Sequence, residues 1–279
     1  MLRPRSCPAT LRSTSIIIST YQRPAALHRV LDGCSRQKVS PNQILVADDG
    51  SGLETRLVIE RWRAFGLPIE HCWQEDLGFR KTKILNKALQ RATGDLLIFL
   101  DGDCIPFPTF VGDHIRLASF RHLMAGTRVL ASAAFTDLIE RSTDWSVPDS
   151  WGFWLSKRLT RQTNKSFPLL RLGDGGWRSA RPRNWRLLRG CNFSVFFDDL
   201  LAVGGFDESI IGWGREDSEL AVRLINAGLR VKSLAFAAPV LHLWHSEASR
   251  DRLTANNEWL NRSIRERRVV AERGLQRPE

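Results

Sequence analysis

Apolar and polar positions alternate in blocks along the first hundred residues. Ile16-Ile17-Ile18, Ile44-Leu45-Val46-Ala47, Ile69 to Trp73 and Leu96-Leu97-Ile98-Phe99-Leu100 are runs of strand length. They are continuous rather than alternating, as expected of strands buried on both faces. Between them apolar residues fall at helical spacing. Leu27, Val30, Leu31 and Cys34 follow Pro24, which suits a first helical turn. A helix from about Glu54 is expected to bury Leu57, Val58, the stem of Arg61, Trp62 and Phe65, with Gly66 as its stop. Ile84, Leu85, Ala88, Leu89 and Ala92 mark a third, closed by Gly94. Strand, helix, strand in this rhythm predicts a mostly parallel central sheet flanked by helices, with right-handed crossovers.

The rhythm breaks after Asp103. Residues 136–188 are expected to be irregular; they hold Trp145, Trp151, Trp154, Trp177 and Trp185, half of the ten tryptophans. A strand is expected from Cys191 to Phe197, then a turn at Gly204-Gly205. A helix carries Leu220, Ala221, Leu224 and Ile225 and stops at Gly228, and a further strand covers Arg230 to Phe236. From Ser246 onward a charged helix carries a modest stripe of Leu253, Trp259, Leu260, Ile264 and Val269.

A chain of 279 residues can form one large α/β domain or two small ones, and 43 % hydrophobic with 25 % charged residues is globular rather than disordered. No apolar stretch is long enough to span a bilayer. Residues 1–14 carry arginines without an apolar core, so a flexible lead-in is expected rather than a signal peptide. Cys7, Cys34, Cys72, Cys104 and Cys191 are odd in number and never form a CxxC pair. This argues for a reducing compartment, hence a cytoplasmic location, and against a disulfide frame or structural zinc. The net charge of +11 calls for acidic partners: a nucleotide diphosphate, an anionic membrane surface or nucleic acid. With no zinc-finger or RRM signature, nucleic acid is set aside. Arg262, Arg265, Arg267 and Arg268 cluster in the tail. They suit either a solvated helix face or a peripheral contact with the inner face of an anionic membrane carrying a lipid-linked acceptor.

Parallel strands bring four polar strand ends to one edge: Ser19-Thr20-Tyr21-Gln22-Arg23, Asp48-Asp49-Gly50-Ser51, Gly78-Phe79-Arg80-Lys81 and Asp101-Gly102-Asp103. An aromatic ring and a carboxylate suit a nucleobase, and Arg80, Lys81 and Lys83 suit phosphates. Two carboxylates spaced by one glycine can hold a divalent cation against a phosphate. Singly each feature has a plainer reading, such as Asp48 as a turn former; sharing one edge sets them apart. There is neither a GxGxxG nor a GxxxxGK[ST] segment, which argues against a dinucleotide cofactor and a P-loop. Further along, Gly212-Trp213-Gly214-Arg215-Glu216-Asp217 puts an indole beside two acids at a helix start. Acids are favoured there by the dipole, yet a sugar face stacks on such a ring and the neighbouring carboxylate can act as general base. His242 and His245, three apart on an expected turn or helix, offer neutral imidazoles to an ion of the Mn²⁺ class.

These motifs resemble a known family. Ile17-Ile18-Ser19-Thr20-Tyr21-Gln22-Arg23-Pro24, Val46-Ala47-Asp48-Asp49-Gly50-Ser51 and Asp101-Gly102-Asp103 are similar to family 2 glycosyltransferases of the GT-A fold. Gly78-Phe79-Arg80 with Asn86 resembles bacterial chondroitin-polymerase-type transferases. The stretch 189–245, with Gly204-Gly205-Phe206-Asp207-Glu208 and Gly212 to Asp217, resembles the C-terminal module of β-1,4-galactosyltransferases. The resemblance implies an α/β, Rossmann-like GT-A domain. Residues 15–135 would form its nucleotide-sugar half and 189–245 the acceptor and catalytic half. The insert 136–188 departs from the family and is expected to shape the acceptor side, and 246–279 is expected as a basic helix. It further implies a metal-dependent, inverting transfer from a nucleotide sugar, UDP-linked, to a glycan or glycolipid hydroxyl, giving a β-linkage. Thr20, Tyr21, Arg23, Asp48, Asp49 and Asn86 would line the donor site, with Arg80 or Lys83 on the diphosphate. Asp101 and Gly102 would lie at the donor ribose or sugar, and Trp213 on a sugar ring. Asp103, His245 and His242 would hold Mn²⁺ or Mg²⁺. Asp217 would be the base and Glu216 would orient the sugar. Arg215 departs from the galactosyltransferase pattern, where a small residue is typical. Two rival classes are an inactive glycan- or nucleotide-binding protein and a sugar nucleotidyltransferase; the latter needs a glycine-rich loop that Ser19 to Pro24 lacks.

Overall fold

The computed structural model describes residues 11, 13–246 and 249–275; the lead-in expected over 1–14 therefore lies almost wholly outside the described residues. The expected alternation is present: β1 (Thr14–Thr20), α1 (Pro24–Ser35), β2 (Gln43–Asp48), α2 (Leu53–Ala64), β3 (Ile69–Trp73), α3 (Lys81–Leu89) and β4 (Leu96–Asp101). The order β3-β2-β1-β4 is parallel throughout, with Ser19 level with Asp101 and Thr20 with Asp48. Both faces are buried with a period of two. Ile16, Ile18, Ile44, Val46 and Ile98 face the α1 side; Ile17, Leu45, Ala47, Leu97 and Phe99 face α3.

Then follow β5 (Cys104–Pro106), α4 (Phe110–Leu117), β6 (His122–Ala125), β7 (Thr127–Leu130), α5 (Ala133–Arg141) and α6 (Trp151–Leu159). After short 3₁₀ turns at Gly176–Ser179 and Trp185–Leu187 come β8 (Asn192–Phe196), α7 (Phe197–Ala202), α8 (Glu216–Asn226), β9 (Arg230–Ser233), β10 (Pro239–His242) and α9 (Leu253–Arg265). Strand β8 enters the main sheet antiparallel to β4, and β6 and β9 complete seven strands in the order β3-β2-β1-β4-β8-β6-β9. A second sheet, β5-β10-β7, pairs β10 antiparallel to β5 and parallel to β7.

Four sequence expectations are corrected. Helix α2 buries Thr55 and Ile59, with Val58 and Trp62 half-buried, while Leu57 (54 %) and Phe65 (69 %) face outward. The stripe 55, 58, 59, 62 is the true helical spacing and Leu57 lies off it; Phe65 comes after the helix end at Ala64. Segment 136–188 is not wholly irregular: α6 carries Trp154, fully buried against Phe107 with ring centroids 5.2 Å apart. The buried Arg178 guanidinium ties this segment to the end of β9 by donating to the carbonyls of Ser233 and Ala235 at 2.9 and 2.8 Å. Strand β9 ends at Ser233, and the chain turns through positive φ at Phe236 and Ala238. His242 closes strand β10, and His245 follows in irregular chain, not on a helix.

Candidate active site

The parallel order turns outward from β1 in both directions, so the gap between the ends of β1 and β4 is the switch point of the sheet. A cavity of about 290 Å³ opens there. Thr20, Tyr21, Arg23, Asp49, Asp101 and Gly102 line it, as do Asp103, Trp213 and His245. Tyr21 stands at the mouth, half-exposed, its hydroxyl donating to Asp76 Oδ2 at 2.9 Å. Asp49 is held by the Arg80 backbone N–H at 2.7 Å and by the Gln74 amide. Burial pushes its carboxyl above the usual carboxylate range. The hydroxyl of Thr20 is buried against the cavity with no partner among the described residues, a polar atom left for a ligand.

A second feature closes one end of this cavity. Strand β5 begins directly after Asp103, and its pairing with β10 places His242 opposite Cys104, while Leu243 N donates to Asp103 O at 2.9 Å. The small sheet thereby brings together residues almost 140 positions apart. One oxygen of Asp103 and one nitrogen each of His242 and His245 lie within 4.8 Å of one another. His245 Nδ1 donates to Ser246 O at 2.7 Å, because a carbonyl only accepts. That leaves the Nε2 lone pair facing Asp103 Oδ2 at 3.5 Å. Burial, with Arg128 and His245 adding to it against the pull of Asp103, lowers the His242 pKa and keeps the ring neutral. Arg23 Nη1 also donates to Asp103 Oδ2 at 3.1 Å, so a cation held by Asp103 and the two imidazoles would share that carboxylate with Arg23. One carboxylate and two imidazoles match Mn²⁺ better than Mg²⁺, which prefers oxygen.

A larger cleft of about 630 Å³ adjoins the first and shares Phe79, Lys81, Asp101 and Trp213 with it. Its floor carries Glu216 and Asp217, the first residues of α8. Asp217 Oδ2 accepts from Gly190 N at 2.9 Å, and Oδ1 accepts from Ser218 N at 2.6 Å. Lys81 sits between the two cavities, 2.8 Å from Asp101 Oδ1 and 3.6 Å from Glu216 Oε1. Burial opposes its charge, but Asp101 and Glu216 outweigh that and push its pKa above the ordinary lysine value. In turn Lys81, with the Ser19 hydroxyl at 2.6 Å, holds Asp101 below the usual carboxylate range despite burial. Burial pushes Glu216 up, with Lys81 opposing and Asp217 adding. The loop bearing Trp213 is tied to the C-terminal helix: Asn256 Nδ2 on α9 donates to the carbonyls of Ile211 and Gly214 at 3.2 and 3.0 Å.

Four residues expected at the donor lie elsewhere. Asp48 is fully buried, accepting from Ser51 N at 2.8 Å and facing His71 Nε2 at 3.0 Å, and does not reach the cavity. Asn86 is buried and bonds Phe206 and Glu208. Arg80 and Lys83 border a separate surface groove with Trp73 and Glu208; Lys81 and Arg23 line the first cavity instead. Of the three cations expected at phosphates, Lys81 is the one that turns inward, because it lies on the inner stripe of α3: 81, 84, 85 and 88 share one helix face, and Lys83 falls off it. Of the tail arginines, Arg262 and Arg268 pair with Glu266 and Glu272 and flank Trp259, so they are partly neutralised in place. No helix among the described residues is long and apolar enough to cross a membrane.

Comparison with known proteins identifies the family of the chain. The family model of glycosyl transferase family 2 matches residues 15–183, and that of the N-terminal domain of galactosyltransferase matches residues 178–246. Validoxylamine A glucosyltransferase of Streptomyces hygroscopicus subsp. limoneus is 31 % identical over 230 residues, covering 77 % of this chain and 48 % of its own length. This chain thus spans about half the length of that curated relative. S. aureus TarS 1-349, solved in complex with UDP, superposes with a TM-score of 0.57 at 15 % identity, over 94 % of this chain and 67 % of that one. GalNAc-T7, solved with UDP, GalNAc and Mn²⁺, gives 0.58 at 14 % identity, over 86 % and 45 %. The fold is GT-A, and the chain belongs to glycosyl transferase family 2.

Proposed function

We propose that this chain transfers a sugar from a UDP-linked donor to a saccharide hydroxyl with inversion, giving a β-linked product. The observation that carries this reading is the pair of adjoining cavities that share Lys81, Asp101 and Trp213, one ending in Asp103 and His245 and the other in Asp217. Tyr21 and Asp49 suit the base, the ring by stacking and the carboxyl by hydrogen bonding to it. Asp101, bonded by Ser19 and Lys81, suits the ribose or donor sugar. Asp103, His242 and His245 would hold Mn²⁺, which when bound neutralises charge on the departing diphosphate. Lys81 and Arg23 are the protein's own cations at that end of the cavity.

Asp217 takes the acceptor proton. Its two backbone N–H partners hold the carboxylate in a fixed position. Trp213, at the junction, offers a ring for a sugar face. A single base and a single displacement invert the anomeric centre, so an α-linked donor yields a β-product. The test is Asp217→Asn. Acceptor-dependent transfer, with the donor chosen from a panel of nucleotide sugars, should fall about 10²- to 10⁴-fold. UDP affinity, titrated calorimetrically, should stay within about twofold. Near-normal turnover in the variant would remove the base assignment.

A further inference from the structure

We propose that the cleft beside Asp217 is built for an acidic acceptor, with the Arg215 guanidinium as the residue that selects its anionic group. This rests on the transferase reading and narrows the acceptor to saccharides bearing a carboxylate or a phosphate ester. Five arginines line the cleft, Arg128, Arg186, Arg189, Arg215 and Arg250, against the carboxylates Asp101, Glu216 and Asp217. Two of those carboxylates are already engaged by Lys81. No carboxylate among the described residues pairs with Arg128, Arg186, Arg189 or Arg215, so their charge faces the cleft without an internal counterion. The arginines come from separate parts of the chain: β7, the 3₁₀ turn before β8, the loop before α8 and the segment before α9. A solvated charge run on one helix would not converge in this way.

The cations are also held in place. Arg186 stacks over Trp185 at 4.4 Å, and Arg215 Nε donates to Asn257 Oδ1 on α9 at 2.6 Å. Arg215 carries a second, independent mark. The loop passes through left-handed backbone at Gly212 (φ +79°), Gly214 (φ +99°) and Arg215 (φ +79°). Glycine occupies the first two at no steric cost; at the third a Cβ is tolerated in a conformation that disfavours it. Local strain at a cleft residue points to use of the side chain. A guanidinium fork anchored at one nitrogen keeps its outer N–H groups for a carboxylate or phosphate, which it binds in two-point fashion.

The experiment compares three acceptor probes that differ only at C6 of one ring: 4-nitrophenyl β-D-glucoside, its glucuronide and its 6-phosphate. Binding of each to the full chain with UDP and Mn²⁺ present is measured by calorimetry, and transfer is followed in parallel mixtures in which a panel of nucleotide sugars replaces UDP. At least one charged probe should bind about tenfold or more tightly than the glucoside, and which one wins distinguishes carboxylate from phosphate. Arg215→Gly should cut that preference to within about twofold while leaving glucoside binding unchanged. Its melting temperature should not fall, because glycine suits the backbone there, which separates lost recognition from lost folding. Equal binding of neutral and charged probes, or a preference that survives Arg215→Gly, would overturn the inference. The transferase reading fails by a different result: charged probes bind as expected, yet no nucleotide sugar in the panel is turned over.

Discussion

Gly102 shows how much one residue decides here. A Cβ at this position would lie 2.8 Å from Thr20 Oγ1 and 3.0 Å from Ser19 O, inside the β1–β4 contact. The residue between Asp101 and Asp103 must therefore lack a side chain if both acids are to reach the cavity from adjacent parallel strands. Gly102→Ala should lower stability by about 1–3 kcal/mol, as overpacking does, and should weaken UDP binding together with it. Urea unfolding and UDP titration check this; a stability change under about 0.5 kcal/mol would sink the packing argument. The sequence made such local facts readable when the motif itself encodes them, as at Asp101, Gly102, Asp103 and Asp217. It misled where the facing direction matters. Of Asp48 and Asp49, adjacent in sequence, only Asp49 meets the cavity. Among the cations near α3, Lys81 turns inward because it continues the stripe of Ile84 and Leu85.

At the scale of elements, α4 is fastened to the sheet by a buried polar contact rather than by apolar packing alone. His114 is fully buried, its Nδ1 2.8 Å from Ser194 Oγ and its Nε2 3.0 Å from Asn192 Oδ1 on β8. The amide nitrogen of Asn192 donates to the carbonyls of Thr127 and Ala238, which fixes Oδ1 as the acceptor and Nε2 as the donor. Burial pushes the His114 pKa down to about 4. Between that value and the unfolded 6.5 the unfolded chain binds the extra proton, so stability falls as pH drops through this window. At pH 4.5 the loss relative to pH 7 should reach about 2–3 kcal/mol from this group. His114→Gln keeps a donor and an acceptor without a titrating ring. The wild-type minus variant difference in urea-unfolding free energy should shrink by that amount as pH falls; a difference constant across the window would refute the assignment. The existence and order of β1 to β4 were legible because continuous apolar runs announce doubly buried strands. The facing of α2 was not, because its outer surface also carries the apolar Leu57, and because Phe65, in phase with Val58 and Trp62, falls past the helix end.

Across the whole molecule, the candidate site joins parts that the sequence keeps far apart. Asp101 ends a strand of the main sheet, His242 ends one of the small sheet, and Asp217 starts a helix clasped by α9. The antiparallel entry of β8, the second sheet and the grip of Asn256 on the Trp213 loop arise from long-range pairing, which periodicity along the chain does not express. A ligand that bridges these parts binds the folded chain alone and must stabilise it by mass action. At UDP and Mn²⁺ about a hundredfold above their dissociation constants, the gain is about 2.7 kcal/mol. For a chain of this size that raises the melting temperature by about 4–6 °C. UDP without the metal should give a smaller shift, and chelation should return the melt to the smaller value. Asp103→Ala should abolish the metal-dependent part while keeping the metal-free part, since Tyr21 and Asp49 lie on strand ends that do not need the small sheet. If the variant and the parent respond alike to Mn²⁺, then Asp103, His242 and His245 do not form the ion's binding site.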